Sequence, residues 1–330
     1  MATSVLVTRA SFADITDRLR EYVNVTDNES DDIWSRAELV RRLHGKAGVL
    51  TTPSDCIDAS LLEACPQLKA VCNIGVGYNN IDVAACTARG IVVTNTPDVV
   101  TESTADLGFA LMMAAARRVT EADRFVRRGD WTKSGFHNQF NSGDVHGTTL
   151  GILGMGRIGR AIARRGALGF DMRVIYHSRN RLAPEDEAES RAEYVDKPTL
   201  LREADHLMLV LPYSKDTHHA IGAGELAQMK RSATLVNIAR GGIVDDAALA
   251  AALLTGAIAA AGLDVFEGEP RVHKDLLSVH NVVITPHIGC ASVRTRRAMA
   301  DLAVSNLVAA LGFGPNAGAP QTPVNREVLA

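Results

Sequence analysis

Three segments carry side chains suited to acid–base work on a polar double bond: Ile238-Ala239-Arg240-Gly241, Asp264-Val265-Phe266-Glu267-Gly268-Glu269, and Thr285-Pro286-His287-Ile288-Gly289. Each follows a short apolar run that reads as a strand. An imidazolium can give up a proton near neutral pH. A paired carboxylate favours the charged ring, raises its pKa and fixes its orientation. A guanidinium, with its planar fork and permanent charge, clamps a carboxylate or a carbonyl oxygen. A lone histidine is more often structural than catalytic, so the case for His287 depends on Arg240 and Glu269 reaching the same sheet edge. In an open parallel sheet that edge, beyond the carboxyl ends of the strands, is where ligands bind.

A second pattern, Thr149-Leu150-Gly151-Ile152-Leu153-Gly154-Met155-Gly156-Arg157-Ile158-Gly159, holds G-x-G-x-x-G between a strand and a helix. Gly154 permits the tight turn, Gly156 lets a phosphate approach the backbone, and Gly159 lets the helix pack closely on the strand. The helix start, from Met155 through Ile158, then offers N–H groups to a pyrophosphate. The next strand ends in His177-Ser178-Arg179-Asn180-Arg181, with no carboxylate for a ribose 2′-hydroxyl. Ser178, Arg179 and Arg181 suit a 2′-phosphate instead, so NADP(H) is expected ahead of NAD(H), which stays possible. The other reading of these arginines is a solvated surface pair. Pro212, Thr217, Ala239, Asp264 and Gly289 follow later strands and are assigned to the same cofactor edge. In Asn73-Ile74-Gly75-Val76-Gly77-Tyr78, a strand runs into Gly-x-Gly, and the N–H groups of Val76 and Gly77 could hold a carboxylate. On that segment alone a simple turn needing glycine dihedrals serves equally well. No cluster is assigned to a metal.

The elements that must position these residues alternate along the chain. Ser4–Val7, Gly48–Leu50, Ala70–Ile74 and Ile91–Thr94 read as strands, and Ile15–Tyr22, Ala37–Leu43, Leu61–Cys65 and Val83–Ala88 as helices. Glu102–Arg128 reads as one long helix, followed by a polar stretch to Gly147 that holds Trp131, Phe136, His137 and Phe140. Such a stretch is either functional or a surface loop with aromatics tucked beneath it. The second alternation starts at Thr149, with later strands at Met172–Tyr176, Leu207–Leu211, Thr234–Ile238, Ala259–Val265 and Val282–Thr285. Ala298–Leu311 is a last helix that could return the chain to the first unit. This order implies parallel sheets covered on both faces.

The chain has 330 residues, 46% hydrophobic and 22% charged, with a net charge of -3. That length favours two domains, and the dispersed Lys and Arg exclude a nucleic-acid or polybasic membrane surface. Cys56, Cys65, Cys72, Cys86 and Cys290 are odd in number with no C-x-x-C spacing, which fits packing residues in a reducing compartment. Met1–Thr8 lacks a signal-peptide pattern. Ala247–Leu263, the most apolar stretch, is broken by Thr255-Gly256 and reads as helix, turn and strand rather than a membrane span. A cytoplasmic location is expected.

Over nearly its full length the chain resembles the D-isomer-specific 2-hydroxyacid dehydrogenases. The likeness is carried by Val76-Gly77, Thr149 to Gly159, Asn237-Ile238-Ala239-Arg240-Gly241, Gly262 to Pro270, and Pro286-His287-Ile288-Gly289. The resemblance implies an α/β protein of two doubly wound parallel-sheet domains with a cleft between them. Residues 1–103 and 292–330 would form a flavodoxin-like substrate domain, residues 104–291 a Rossmann cofactor domain that also makes a homodimer. It implies Arg240 as a substrate contact, His287 as the acid–base that meets substrate, Glu269 as its carboxylate partner, and the Val76 and Gly77 amides on the substrate carboxylate.

Within that family the chain is most similar to glyoxylate/hydroxypyruvate reductases, in the branch that also reduces 2-ketogluconate. Thr101-Glu102-Ser103-Thr104-Ala105-Asp106, Asp144-Val145-His146-Gly147 and the basic turn after Tyr176 carry this. Arg271, where an apolar residue is usual, and Cys290, where serine is more frequent, depart from the pattern. The expectation is NADPH-dependent reduction of a small 2-keto acid to the D-2-hydroxy acid. An NAD-dependent dehydrogenase of the phosphoglycerate type fits less well, given His177 at the acidic position and no further C-terminal domain. A formate dehydrogenase would carry glutamine at position 269. A nicotinamide-sensing, corepressor-like binding protein can keep the same triad, but those relatives favour NAD(H), which the basic turn disfavours.

Overall fold

A computed structural model describes residues 3–133 and 140–329. The chain divides into two compact units, Met1–Val100 with Ala291–Ala330, and Thr101–Cys290. Each is a parallel sheet covered by helices on both faces.

In the first unit β1 (Ser4–Val7), β2 (Asn24–Thr26), β3 (Gly48–Thr51), β4 (Ala70–Asn73) and β5 (Val92–Thr94) lie in the order β2-β1-β3-β4-β5. Alternation along β1 divides its side chains between two layers. Leu6 packs with Leu39, Leu43, Leu61 and Leu62 on one face, while Val5 and Val7 meet Ile15, Leu19, Ala303 and Leu307 on the other. Every residue of β3 and β4 is buried, as strands covered on both faces must be. Asp58 and Asp82 cap the helices Ala59–Ala64 and Val83–Thr87, accepting from Leu61 and Ala85 N–H at 2.9 Å each. The helix Val293–Ala310 returns the chain to this sheet.

In the second unit β6 (Thr149–Leu153), β7 (Arg173–His177), β8 (Ala192–Tyr194), β9 (His206–Leu209), β10 (Thr234–Asn237), β11 (Ala260–Leu263) and β12 (Val282–Ile284) lie in the order β12-β11-β10-β9-β6-β7-β8. Strand order reverses between β6 and β9, the crossing point where open α/β sheets bind ligands. Leu153 pairs with His177 and Leu209, Asn237 with Leu209 and Leu263, and Leu263 with Ile284. The carboxyl ends of six strands are therefore level, and the loops that follow them share one edge.

Several elements differ from the sequence reading. The single helix expected over Glu102–Arg128 is two, Thr101–Ala116 and Val119–Arg127, because Arg118 adopts a left-handed conformation (φ 52°) that ends one and starts the other. The edge strands β2 and β8 have three residues each and no apolar run to mark them. The last helix starts at Val293, where Ser292 accepts from Thr295 N–H, ahead of the expected Ala298. Ala247–Leu263 does divide into helix, turn and strand, with Gly256 (φ +66°) closing the helix Asp246–Thr255. Among the described residues no helix is long and apolar enough to cross a membrane. Cys65, Cys72 and Cys86 are buried and unbridged, and burial pushes the Cys72 and Cys86 thiols up to about 12. Phe136 and His137 lie outside the described residues. Trp131 is exposed, and Phe140 packs edge-on against Phe125.

Asn325, fully buried, ties the C-terminal stretch to the edge of the first sheet. It donates to Ile91 C=O and Thr87 Oγ1 and accepts from Val93 N–H at 2.8 Å. Asn325→Ala leaves a buried donor and acceptor unpaired, an expected loss of about 3 kcal/mol. Urea unfolding checks this, and a loss below about 0.5 kcal/mol would show that the stretch is not stabilising.

Candidate active site

The turn after β6 is built by contact. A side chain on Gly154 (φ +101°) would lie 2.8 Å from the Val210 carbonyl, and one on Gly159 would lie 2.4 Å from Gly154 O. Beside Gly156 there is open space. The helix Arg157–Gly169 starts there, and its N-cap, Gly156, gives it no side-chain hydrogen bond. Met155 N–H donates to Ser178 Oγ at 2.6 Å, joining this turn to the end of β7. Ser178 keeps its own hydrogen to donate. Arg179 is exposed and has no ion-pair partner among the described residues, whereas Arg181 forks onto Glu187 at 2.8 and 2.9 Å. The sequence reading gave both arginines the same duty. The structure commits Arg181 to Glu187, whose carboxyl it and the Tyr176 hydroxyl hold down at about 2.

After β9, Thr217 Oγ1 accepts from Ser214 N–H and donates to Pro212 C=O, so this threonine folds its own loop. After β10, the buried Asn237 accepts from Ala239 N–H and donates to Arg240 C=O, both at 3.1 Å, which shapes the turn that presents Arg240. The half-buried guanidinium donates to Ala239 C=O at 2.6 Å. Burial pulls Arg240 below its ordinary value, opposed by the charge of Glu269 and by Cys290. Gly241 brings this loop against the next one, since a side chain there would lie 1.8 Å from Phe266 O.

That next loop carries Glu269. Burial pushes its carboxyl up, but the His287 hydrogen bond and charge, the Phe266 N–H and Arg240 more than reverse this, leaving it below the usual range. Glu269 Oε1 lies 2.6 Å from His287 Nδ1, and Oε2 accepts from Phe266 N–H. With Nδ1 bonded to the carboxylate, Nε2 is the nitrogen left to exchange a proton with a ligand. His287 itself is left-handed (φ 53°), its N–H donating to Asp264 C=O at 2.9 Å. The Asp264 carboxylate accepts from Thr285 Oγ1, Ile288 N–H and Gly289 N–H at 2.6 to 2.8 Å. Asp264 and Gly289, both expected at a cofactor, are thus first the parts that shape the His287 turn. Asn237 and Thr285 are the positioning residues missed as sites in the sequence, where only their place beside Arg240 and His287 could have marked them.

In the first unit, the turn after β4 is held by amides. Asn73 donates to Gly75 and Gly77 C=O, and Asn95 to Val76 C=O at 2.8 Å. The N–H groups of Val76 and Gly77 have no acceptor among the described residues. With its carbonyls engaged, this turn has the polarity of an anion-binding nest.

A family model described as "D-isomer specific 2-hydroxyacid dehydrogenase, NAD binding domain" matches residues 109–289. A glyoxylate reductase of Thermococcus onnurineus is 47% identical over 332 residues, covering 100% of this chain and 98% of its own. Glyoxylate/hydroxypyruvate reductase B of Klebsiella pneumoniae is 44% identical, covering 99% of this chain and all of its own. An NADPH-dependent glyoxylate/hydroxypyruvate reductase from Sinorhizobium meliloti, crystallised with NADP and malonate, superposes with a TM-score of 0.85 at 36% identity, covering 98% of this chain and 97% of that one. Matched along its whole length in both sequence and fold, the chain belongs to the D-isomer-specific 2-hydroxyacid dehydrogenases and is an NAD(P)-dependent oxidoreductase.

Proposed function

We propose that the protein is an NADPH-dependent reductase that converts a small 2-keto acid, with glyoxylate and hydroxypyruvate ahead of 2-ketogluconate, to the D-2-hydroxy acid. The observation that carries this is the His287–Glu269 pair at 2.6 Å, on the same sheet edge as the half-buried Arg240. The names of the relatives at 44% to 47% identity support the substrate class.

A nicotinamide dinucleotide fits the β6 turn because the open space beside Gly156 admits a phosphate and the uncapped helix start offers it N–H groups. Gly154, Met155, Gly156, Arg157, Ile158 and Gly159 would hold its pyrophosphate. Ser178 and Arg179 would meet a 2′-phosphate, with Arg181 behind them on Glu187. Pro212, Thr217, Ala239, Asp264 and Gly289 would line the same cofactor edge. Once bound, the reduced nicotinamide supplies the hydride. Arg240 holds the keto acid and polarises its carbonyl. Val76 and Gly77 N–H groups take the carboxylate. His287 Nε2 delivers the proton to the oxygen, and Glu269 balances the imidazolium before it does so.

We place a homodimer contact on the second unit, where the helix Val119–Arg127 buries none of its residues and leaves Val119 and Val126 exposed. Light scattering should return about twice the mass of one chain. A monomer at micromolar concentration would remove this contact.

Three measurements test the reading. NADPH and NADH oxidation against glyoxylate, hydroxypyruvate, 2-ketogluconate and pyruvate should show NADPH ahead and one keto acid leading; cofactor binding with no oxidation of any pair would favour a sensing role. Arg179→Ala should weaken NADPH about 10- to 100-fold and leave NADH unchanged, and equal losses for both cofactors would sink the 2′-phosphate assignment. His287→Asn retains a residue tolerant of the left-handed backbone. It should lower kcat by about 10²- to 10⁴-fold with NADPH affinity kept, whereas normal turnover would remove the acid–base assignment.

A further inference from the structure

Away from the residues assigned above, His218, His219 and Glu267 come together although 48 positions separate the last two. One ligand atom from each lies within 4.8 Å of the others. His219 Nε2 is 3.0 Å from Glu267 Oε2, and the Tyr213 hydroxyl lies 3.3 Å from His218 Nδ1. The two imidazoles stack with centroids 3.8 Å apart and planes 24° from parallel. Side chains of adjacent residues in extended chain point to opposite sides. These two share a side because His219 is left-handed (φ 49°), a conformation held by its N–H donating to Gly242 C=O at 2.7 Å. Glu267 is anchored from the other direction, its N–H donating to Asp246 Oδ2 at 3.0 Å.

We propose that His218, His219 and Glu267 form a binding site for one divalent transition-metal ion of the zinc class, joining the loop after β9 to the loop after β11. Two imidazoles and one carboxylate are the donor set of zinc, cobalt and nickel rather than of magnesium or calcium, which take all-oxygen sites. A tetrahedral ion with bonds of ~2.0–2.1 Å sets its ligand atoms ~3.3 Å apart. The His219–Glu267 pair needs to open by only a few tenths of an ångström to admit it. His218 needs to move inward by at most about 1.5 Å to reach that spacing, and as an exposed side chain it has the freedom to do so. Solvent supplies the fourth ligand. Glu267 stands two residues before Glu269, and His218 directly follows Thr217. An ion here therefore links the segment carrying the carboxylate partner of His287 to a loop assigned to the cofactor.

The test uses the full chain without an affinity tag, stripped with chelator and titrated with Co²⁺ and then Zn²⁺ near pH 7.5. One equivalent of Co²⁺ should give visible absorption of four-coordinate intensity that Zn²⁺ abolishes, and calorimetry should give a micromolar or tighter Kd for Zn²⁺. His219→Asn, which tolerates the left-handed backbone, and Glu267→Gln should each weaken Zn²⁺ by at least about tenfold. If one of these variants does not fold by circular dichroism, the other and His218→Gln decide. The proposal is overturned by no saturable binding of one equivalent, or by equal affinity in the folded variants and the parent.

Discussion

Asp264 is 1% exposed, and its carboxylate meets three donors from the segment Thr285–Gly289 and, among the described residues, no cation. A carboxylate taken out of water is costly unless hydrogen bonds replace the lost solvent. Here the donors that do so are the hydroxyl and amides of the turn that bears His287, so satisfying Asp264 and shaping that turn are one event. The Asp264 carbonyl fixes His287 N–H as well. A histidine with φ of 53° is unfavourable by itself. It persists because four bonds to one residue over-determine the turn, and the imidazole then reaches Glu269 without a long side chain having to be ordered.

The same economy recurs at the other turns. Asn237 closes the Arg240 turn by accepting from one amide and donating to one carbonyl, and Gly241 lets the backbone of the neighbouring loop approach where no side chain fits. Asn73 and Asn95 engage the carbonyls of residues 75 to 77, and the Val76 and Gly77 amides have no acceptor among the described residues. In each case a neutral amide or a buried acid, rather than an ion pair, orients the backbone. Arg181, by contrast, has its charge matched internally by Glu187.

Much of this was legible in the sequence. Apolar runs marked ten of the twelve strands found among the described residues, because a strand covered on both faces must be apolar throughout. The two that escaped, Asn24–Thr26 and Ala192–Tyr194, are short edge strands that the packing does not require to be apolar. The break at Arg118 escaped for another reason: arginine is a good helix former, and only its backbone angle divides the segment. At the sheet edge, spacing from strand ends placed Arg240, Glu269 and His287 together. It could not show that Asp264 faces the turn, that Arg181 folds onto a glutamate six residues on, or that Glu267 meets two histidines from another loop. Those depend on side-chain directions that a linear pattern does not encode.

The charges at the candidate site also bear on the proposed reaction. Arg240 starts so far above neutrality that burial leaves it charged, and Glu269, held below the usual carboxylate range, is charged too. With His287 protonated the three side chains sum to one positive charge, which a 2-keto carboxylate neutralises on binding. Proton delivery would turn the imidazole neutral while the loss of a hydride would leave one positive charge on its donor, so the charge facing the carboxylate would be kept. Without Glu269 the same side chains would carry two positive charges, so in the proposed reaction this carboxylate keeps the charge of the site matched to a single substrate carboxylate while it orients His287.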